Sequence, residues 1–185
     1  TDGFNITVTA TTADTITGSN GADSITGSAI SDSIVGGSGA DTITGGAGVD
    51  TVTGGAGADY MIAGSGADVF NYGAYATIAA QTGITVATAD LIGDFVSGSD
   101  TIKSGIAGTA LNYGEAGAFA TFGLAAAAAD AAFTANPALR YFVTSSTADD
   151  VGLLFVDSAA GGVADAVITL TGITAANFAF TDIVA

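Results

Sequence analysis

Histidine, cysteine and tryptophan are absent from this chain of 185 residues, which also has one proline, one methionine and two basic residues. Without cysteine, neither disulfides nor thiolate zinc sites are available to stabilise a fold. Without histidine, the chain lacks the commonest general base and the commonest zinc ligand, which argues against many classes of hydrolase. We therefore predict that the protein is not an enzyme and that any metal it binds is held by oxygen atoms.

Positive charge is nearly missing as well. Eighteen acidic residues are opposed only by Lys103 and Arg140, and the net charge is −16. Such a charge repels nucleic acid and anionic membrane surfaces, so cations are the expected partners. The longest weakly polar run, residues 116–135, is mostly alanine and contains Asp130, so no membrane insertion is predicted.

Aspartate recurs at every ninth residue through the first part of the chain. The seven members of this register are Asp14, Asp23, Asp32, Asp41, Asp50, Asp59 and Asp68. Two residues after each aspartate comes an apolar side chain, in turn Ile16, Ile25, Ile34, Ile43, Val52, Met61 and Phe70. Oxygen ligands and core residues therefore share one period.

The chemistry of each repeat predicts a sharp turn followed by a short strand. Paired glycines such as Gly45 and Gly46 permit positive φ, so the chain can turn tightly there. The triplet that follows each aspartate, for example residues 42–44 after Asp41, alternates polar, apolar and polar side chains, as a half-buried strand requires. If two repeats make one coil of eighteen residues, Asp23 lies next to Asp41 in the adjacent coil, and strands stack roughly 4.8 Å apart.

The repeat also resembles a known family. Residues 45–53 match G-G-x-G-x-D-x-U-x, the calcium-binding repeat of RTX proteins, at every fixed position. Residues 10–71 thus resemble an RTX β-roll. The resemblance implies an all-β fold in which residues 1–71 form a parallel β-roll of nonapeptide repeats. Residues 72–185 then form a β-rich C-terminal cap that contains one helix and the secretion signal.

Calcium is the predicted ligand of the turns. Stacked carboxylates repel each other, whereas Ca²⁺ accepts about six to eight oxygens in flexible geometry and Mg²⁺ demands a rigid octahedron. We expect about four or five calcium ions, held by the seven aspartates and by turn glycines: Gly21, Gly37, Gly39, Gly46, Gly48, Gly55, Gly57, Gly64 and Gly66.

The best pairs are Asp23 with Asp41, Asp41 with Asp59, Asp32 with Asp50, and Asp50 with Asp68. The pair Asp14 and Asp32 is the least favoured, because residues 9–13 lack glycine. The alternative is that the aspartates form solvated Asx-turns.

The second half of the chain predicts a cap. Residues 90–102 resemble the D-x-I-x-D-F-x-x-G-x-D-x-I segment that follows the repeats in serralysin-type C-terminal domains. Alanine-rich residues 118–133 predict a helix ending before Asn136, and four apolar stretches predict strands at residues 139–144, 151–156, 164–170 and 178–184. We interpret Asp157 and Asp165 as hairpin-turn residues rather than a glycosidase pair. Residues 181–185 resemble the tail of proteins exported by type I secretion, although a plain last strand explains them equally well.

The resemblance implies a calcium-binding structural module of a type I-secreted protein that folds on Ca²⁺ after export. The threonine- and alanine-rich, lysine-poor composition resembles surface-layer proteins, so the leading hypothesis is part of a lattice on the surface of a Gram-negative bacterium, with self-assembly. The alternative is the non-catalytic secretion and stabilising domain of a serralysin-like protease or lipase, or of an RTX adhesin.

Overall fold

Each predicted repeat forms one strand of a parallel roll. A computed structural model describes residues 3–73, 82–83, 85, 87–106, 108, 113–147, 151–157, 162–174 and 176–185. The strands of the repeat region are β1 (Asn5–Thr7), β2 (Thr15–Thr17), β3 (Ser24–Thr26), β4 (Ser33–Ser38), β5 (Thr42–Ala47), β6 (Thr51–Ala56), β7 (Tyr60–Ser65) and β8 (Val69–Asn71). The odd-numbered strands pair in one parallel sheet and the even-numbered strands in another. The all-β roll expected from the repeats is confirmed.

The register confirms the coil of eighteen residues. Ile25 pairs with Ile43 and Ile43 with Met61 in one sheet, and Ile34 pairs with Val52 in the other. The first coil alone is one residue longer, because Asn5 pairs with Ser24. Because two repeats make one coil, each strand pairs with the strand two repeats further along the chain.

The core of the roll consists of two facing ladders of apolar side chains. Because side chains alternate along a strand, the single central residue of each triplet points inward and its threonine neighbours point outward. One ladder contains Ile25, Ile43, Met61, Ile92 and Leu170, and the other contains Ile16, Ile34, Val52, Phe70, Ile102 and Ile183, all of them buried. Each coil thus contributes one residue to each ladder.

Both sheets continue past the predicted boundary at residue 71. Strand β9 (Asp90–Ile92) pairs with β7, and β10 (Thr101–Lys103) pairs with β8, both in parallel. The C-terminal β15 (Ile183–Val184) then pairs with β10. The last coil of the roll is therefore built from residues outside the repeats, while the division into two domains stays a prediction.

The cap extends the first sheet. Strands β11 (Tyr113–Phe119), β12 (Tyr141–Ser146), β13 (Val151–Val156) and β14 (Ala166–Thr171) lie in the order β9-β14-β13-β12-β11. Strands β12, β13 and β14 are antiparallel, whereas β11 lies parallel to β12. The helix α1 (Phe122–Ala135) buries Ala125, Ala129 and Phe133 in a second apolar cluster with Phe142 and Phe155. No helix in the described part of the chain combines the length and apolar character that crossing a membrane requires.

The expected cap elements differ from the structure at two places. The helix begins at Phe122 rather than residue 118, because residues 113–119 form β11 and Thr121 caps the helix by accepting from the Leu124 amide at 3.4 Å. The predicted last strand is wrong over residues 180–182, which form a 3₁₀ turn. That turn is held by the Asp182 carboxylate, which accepts hydrogen bonds from the amides of Ala179 at 2.9 Å and Gly98 at 3.0 Å.

The inward ladder predicts a large effect of shortening one of its members. Ile43 is fully buried, so Ile43→Ala is expected to lower the free energy of unfolding by about 2 to 5 kcal/mol, through lost burial and the cavity left behind. Urea unfolding in saturating calcium measures this. Val49→Ala is the control, because Val49 is 54% exposed and its loss is expected to change stability by less than about 0.5 kcal/mol. Equal effects of the two variants would contradict the inward ladder.

Candidate calcium-binding turns

Aspartates of the register accept hydrogen bonds from the backbone amides of aspartates one coil earlier in the chain. The amide of Asp23 donates to Asp41 Oδ1 at 2.8 Å, and the amide of Asp41 donates to Asp59 Oδ1 at 2.9 Å. On the other side of the roll the amides of Asp14, Asp32 and Asp50 donate to Oδ1 of Asp32, Asp50 and Asp68 at 3.0, 2.7 and 2.8 Å. The stacking predicted from the repeat is present in both columns, and it includes Asp14 even though residues 9–13 lack glycine.

The second oxygen of most of these carboxylates has no hydrogen-bond partner. Among the described residues, the buried Oδ2 atoms of the repeat aspartates without a partner belong to Asp14, Asp41, Asp50, Asp59 and Asp68. Asp23 and Asp32 differ, because their Oδ2 atoms accept from the amides and hydroxyls of Ser19 and Ser28. A buried acceptor without a partner costs on the order of 1–3 kcal/mol, and more when it is charged. A bound cation would remove this penalty at each turn.

The turn backbone supplies further oxygens at the same places. A methyl group built on Gly36 would lie 2.4 Å from Asp41 Oδ2 and 2.6 Å from the Gly54 carbonyl oxygen. One built on Gly45 would lie 2.5 Å from both Asp50 Oδ2 and the Ala63 carbonyl oxygen. Carboxylate and carbonyl oxygens from neighbouring coils therefore converge beside these two turns. Hard oxygen donors of both kinds are the ligands that Ca²⁺ takes in proteins, so the residues fit this ion.

Acidic side chains alone do not form the ligand sets at these turns. In the described ranges, no group of three or more acidic side chains is arranged to hold a metal ion. The turns at Gly36 and Gly45 instead combine one carboxylate with a backbone carbonyl oxygen of the next coil.

The turn glycines are required by backbone conformation and by close stacking. Eight of the nine predicted glycines have positive φ, and the exception is Gly21, which donates its amide to Ser19 Oγ at 3.2 Å. The eight are Gly37, Gly39, Gly46, Gly48, Gly55, Gly57, Gly64 and Gly66. Their Cα atoms also lie against the previous coil: a methyl group on Gly57 would lie 1.8 Å from the Gly39 carbonyl oxygen. Their role as calcium ligands stays a prediction.

Burial changes the acidity of the aspartates along each column. Burial raises the pKa of Asp59 to about 6, with a further contribution from the Asp41 charge. It also raises the pKa values of Asp41, Asp50 and Asp68. The first coil behaves differently: the Phe4 amide, with Ser19, lowers the pKa of Asp23. Without ions, burial therefore makes these inner carboxylates bind protons more tightly than a free aspartate does.

Two aspartates that the sequence analysis did not assign as ligands extend the columns. The amide of Asp59 donates to Asp90 Oδ1 at 3.0 Å, and the amide of Asp68 donates to Asp100 Oδ1 at 3.1 Å. Asp90 is fully buried, and burial raises its pKa to about 8 while the Tyr72 hydroxyl opposes that rise. The spacings of 31 and 32 residues hide both from a search at intervals of nine. The available signal was the pattern Asp-x-Ile, which ends at the buried Ile92 and Ile102.

Comparison with protein families assigns the repeat region. The RTX calcium-binding nonapeptide repeat (4 copies) matches residues 9–43, 26–61 and 35–70. Residues 9–70 are therefore an array of RTX calcium-binding repeats, as expected from the aspartate register. Such repeats are typical of secreted extracellular proteins and form non-catalytic calcium-binding domains. No curated protein shows significant sequence similarity to the chain.

Solved structures with the same fold come from a bacterial epimerase. The R3 subunit of the Azotobacter vinelandii mannuronan C5-epimerase AlgE6 aligns with a TM-score of 0.58 and 23% identity over 96% of this chain and 81% of the subunit. The R2 subunit aligns with a TM-score of 0.60 and 24% identity over 91% of this chain and 90% of the subunit. These likenesses cover the cap as well as the repeats, and they establish the fold.

Alanine at a turn glycine is expected to destabilise the roll. Gly57→Ala combines a φ of 146° with the approach to the Gly39 carbonyl oxygen, so the loss should exceed about 1 kcal/mol. Thermal unfolding in saturating calcium measures it. Gly117→Ala is the matched control, because a methyl group there has no neighbour within 4 Å, and its effect is expected to be small. A neutral Gly57→Ala would contradict the described turn.

In chelator, the roll is expected to be more stable in acid than at neutral pH. The unfolded pKa of aspartate is about 3.9, whereas the folded values reach about 6 at Asp59 and about 8 at Asp90. The folded state therefore binds more protons, so stability falls as pH rises from about 4 to about 8. Circular dichroism in chelator across this range tests the slope, because β-structure that is present near pH 4 should be lost toward pH 8, and Asp90→Asn should flatten the upper part of that loss. Calcium-saturated protein should show the opposite trend, because protons compete with the ion. A chelator-treated roll that is most stable at pH 8 contradicts the assignment of raised pKa values.

Proposed function

We propose that this chain is a calcium-binding structural module of an extracellular, type I-secreted protein, and that it folds on Ca²⁺ after export. The observation that supports this most strongly is the row of buried Oδ2 atoms without partners at Asp41, Asp50, Asp59 and Asp68. Those of Asp41 and Asp50 lie beside a carbonyl oxygen of a neighbouring coil. Such a row opposes folding until cations occupy it. Calcium binding is thus coupled to formation of the roll.

The ion sites follow the two aspartate columns. The predicted pairs Asp23 with Asp41 and Asp32 with Asp50, together with the next pair in each column, account for about four ions, and Asp14 with Asp32 for about a fifth. We extend each column by one aspartate, so that Asp90 follows Asp59 and Asp100 follows Asp68. These two aspartates have the same amide contact as the repeat members, and they tie the repeats to the C-terminal half.

The difference in calcium concentration between the cytoplasm and the outside of the cell determines where the chain folds. Extracellular calcium modules bind at roughly 10⁻⁴ to 10⁻³ M, so the sites would be empty in a low-calcium cytoplasm and filled outside the cell. An unfolded chain suits type I export, and binding only to the folded form then stabilises it outside. In the folded protein the C-terminal segment is part of the roll, because β15 pairs with β10 and Asp182 is buried. A tail recognised by an exporter would therefore be accessible only before folding.

A surface-layer lattice is the leading biological context. The chain is rich in alanine, glycine and threonine and nearly free of lysine, as in surface-layer proteins of this secretion class. The outward threonine faces of the triplets repeat at the spacing of the coils, which suits regular lateral contacts. In this context the module would hold a lattice outside a Gram-negative cell.

A second candidate is the non-catalytic module of a larger secreted enzyme. The likeness of the fold to R subunits of a mannuronan C5-epimerase favours it, because it includes the cap. The serralysin-like match at residues 90–102 favours the same class, and a lipase or adhesin module would share it. In this context the module would fold to a monomer beside its partner domains.

Calcium titration followed by circular dichroism is the first experiment. We expect little β-structure in chelator at neutral pH and a cooperative gain on adding Ca²⁺ at roughly 10⁻⁴ to 10⁻³ M. Mg²⁺ at the same concentration should produce much less, because it prefers rigid octahedral geometry. Full β-structure in chelator at neutral pH would falsify the folding switch.

The variant Asp41→Asn tests whether calcium binds at the aspartate turns. The substitution removes one charged oxygen from two stacked turns, so it is expected to raise the calcium midpoint roughly tenfold, as loss of a buried charged ligand should. Asp130→Asn is the control, because Asp130 lies in α1 and accepts from the Ala164 amide outside the repeats. Equal midpoints for both variants would place calcium elsewhere.

Light scattering in the same titration separates the two contexts. Ordered assembly that accompanies folding supports the lattice. A stable calcium-loaded monomer supports the module of a larger enzyme or adhesin.

A further inference from the structure

A groove runs beside the first part of β11. Two cavities adjoin this strand: the first, about 450 Å³, is lined by residues 113–115 and 178–180, and the second, about 320 Å³, is lined by residues 115–117 and Ala176. A third, about 300 Å³, touches β11 at Ala118 but lies across the sheet against residues 145–147, Val151 and residues 172–174. The first two cavities share Glu115, and we name them together the β11 groove.

The strand that borders the groove has a free edge. β11 pairs with β12 on one side, and within the described ranges no strand pairs with its other side. β11 has seven residues and is therefore roughly 23 Å long. An edge strand of this length presents backbone N–H and C=O groups to any extended chain laid beside it.

One end of the groove is aromatic. Tyr113 stacks on Phe178 with ring centroids 6.4 Å apart and contacts Phe180 at 6.2 Å. Phe178 is buried and supports the floor, whereas Phe180 is 37% exposed and is available to a ligand. Aromatic faces of this kind bind apolar side chains and cations.

The same end is acidic. Glu115 is exposed where the first two cavities meet, and its charge and that of Asp182 both act on the Tyr113 hydroxyl. Neither basic residue of the chain lines the groove in the described part of the structure, and Arg140 donates instead to the carbonyl oxygens of Pro137 and Leu139. The charge of the groove therefore favours a basic ligand.

We propose that the β11 groove binds an extended peptide segment that carries lysine or arginine beside an aromatic or apolar residue, by adding it as a strand to β11. The free edge supplies the backbone pairing, the aromatic end takes the apolar side chain, and Glu115 pairs with the cation. A second copy of this chain fits poorly, because it has two basic residues and a charge of −16. A polysaccharide could use the aromatic rings and Glu115, but it has no backbone groups to match the strand edge.

Isothermal titration of the calcium-saturated full chain with a synthetic peptide tests this. The probe is Thr-Lys-Thr-Phe-Thr-Lys-Thr, which as a strand places both lysines and the phenylalanine on one face. Methylating alternate amide nitrogens of the peptide should weaken binding at least tenfold, because strand addition depends on main-chain hydrogen bonds. Replacing its lysines with glutamate should have a similar effect.

Variants of the protein assign the two ends of the contact. Phe180→Ala is expected to weaken binding roughly tenfold. Val96→Ala, a control at an apolar residue outside the groove that is 56% exposed, should not weaken it. Glu115→Gln should weaken the lysine peptide roughly two- to fivefold, as expected for an exposed ion pair, and should leave a peptide with glutamine in place of lysine unchanged. Circular dichroism in calcium checks that each variant is folded.

Four results would overturn the proposal. Undetectable binding of the lysine peptide does so directly, and equal binding of the N-methylated peptide excludes strand addition. Binding of an oligouronate or neutral oligosaccharide that is lost in Phe180→Ala, without peptide binding, assigns the groove to a polysaccharide. A Phe180-dependent dimer in light scattering assigns it to a second copy of the chain.

Discussion

The hydrogen bond from an aspartate amide to the carboxylate of the aspartate one coil away is the contact on which the rest of this structure depends. It recurs from Asp14 to Asp100 on one side of the roll and from Asp23 to Asp90 on the other. Each bond fixes the stacking of two turns, and the same stacking brings the inward isoleucines into ladders. It also buries the second carboxylate oxygen, so one geometry creates both the core and the need for a cation.

That need explains the unusual composition. Glycine in the turns allows coils to approach within contact of each other's carbonyl oxygens, as at Gly46 against Ser28, but glycine lowers the stability of the folded chain through entropy. The inner carboxylates add repulsion and desolvation. Chains without disulfides compensate by other means, and here ions at the turns would link residues eighteen apart. On the proposed function, the stability of the roll would depend on the calcium concentration of its surroundings.

The C-terminal half closes the roll with residues that do not belong to the repeat. Asp90 and Asp100 are the next aspartates of the two columns. The apolar ladders continue with Ile92, Ile102 and Ile183. The terminal 3₁₀ turn then brings Asp182 onto the amide of Gly98. A solenoid needs such a cap, because its last coil would otherwise expose unpaired strand edges and apolar side chains.

Local chemistry alone determined the period, the turns, the inward residues and the pairing of aspartates eighteen apart, because each depends on a pattern within two repeats. The end of α1 before Asn136 and both limits of β13 were also predicted, since alanine runs and apolar stretches act over short distances. Only the tertiary structure decided the roles of Asp90 and Asp100, because loops of different length bring them to the columns. It also decided that residues 180–182 turn rather than extend, through the long-range contacts of Asp182, and that β11 leaves a free edge beside an aromatic groove.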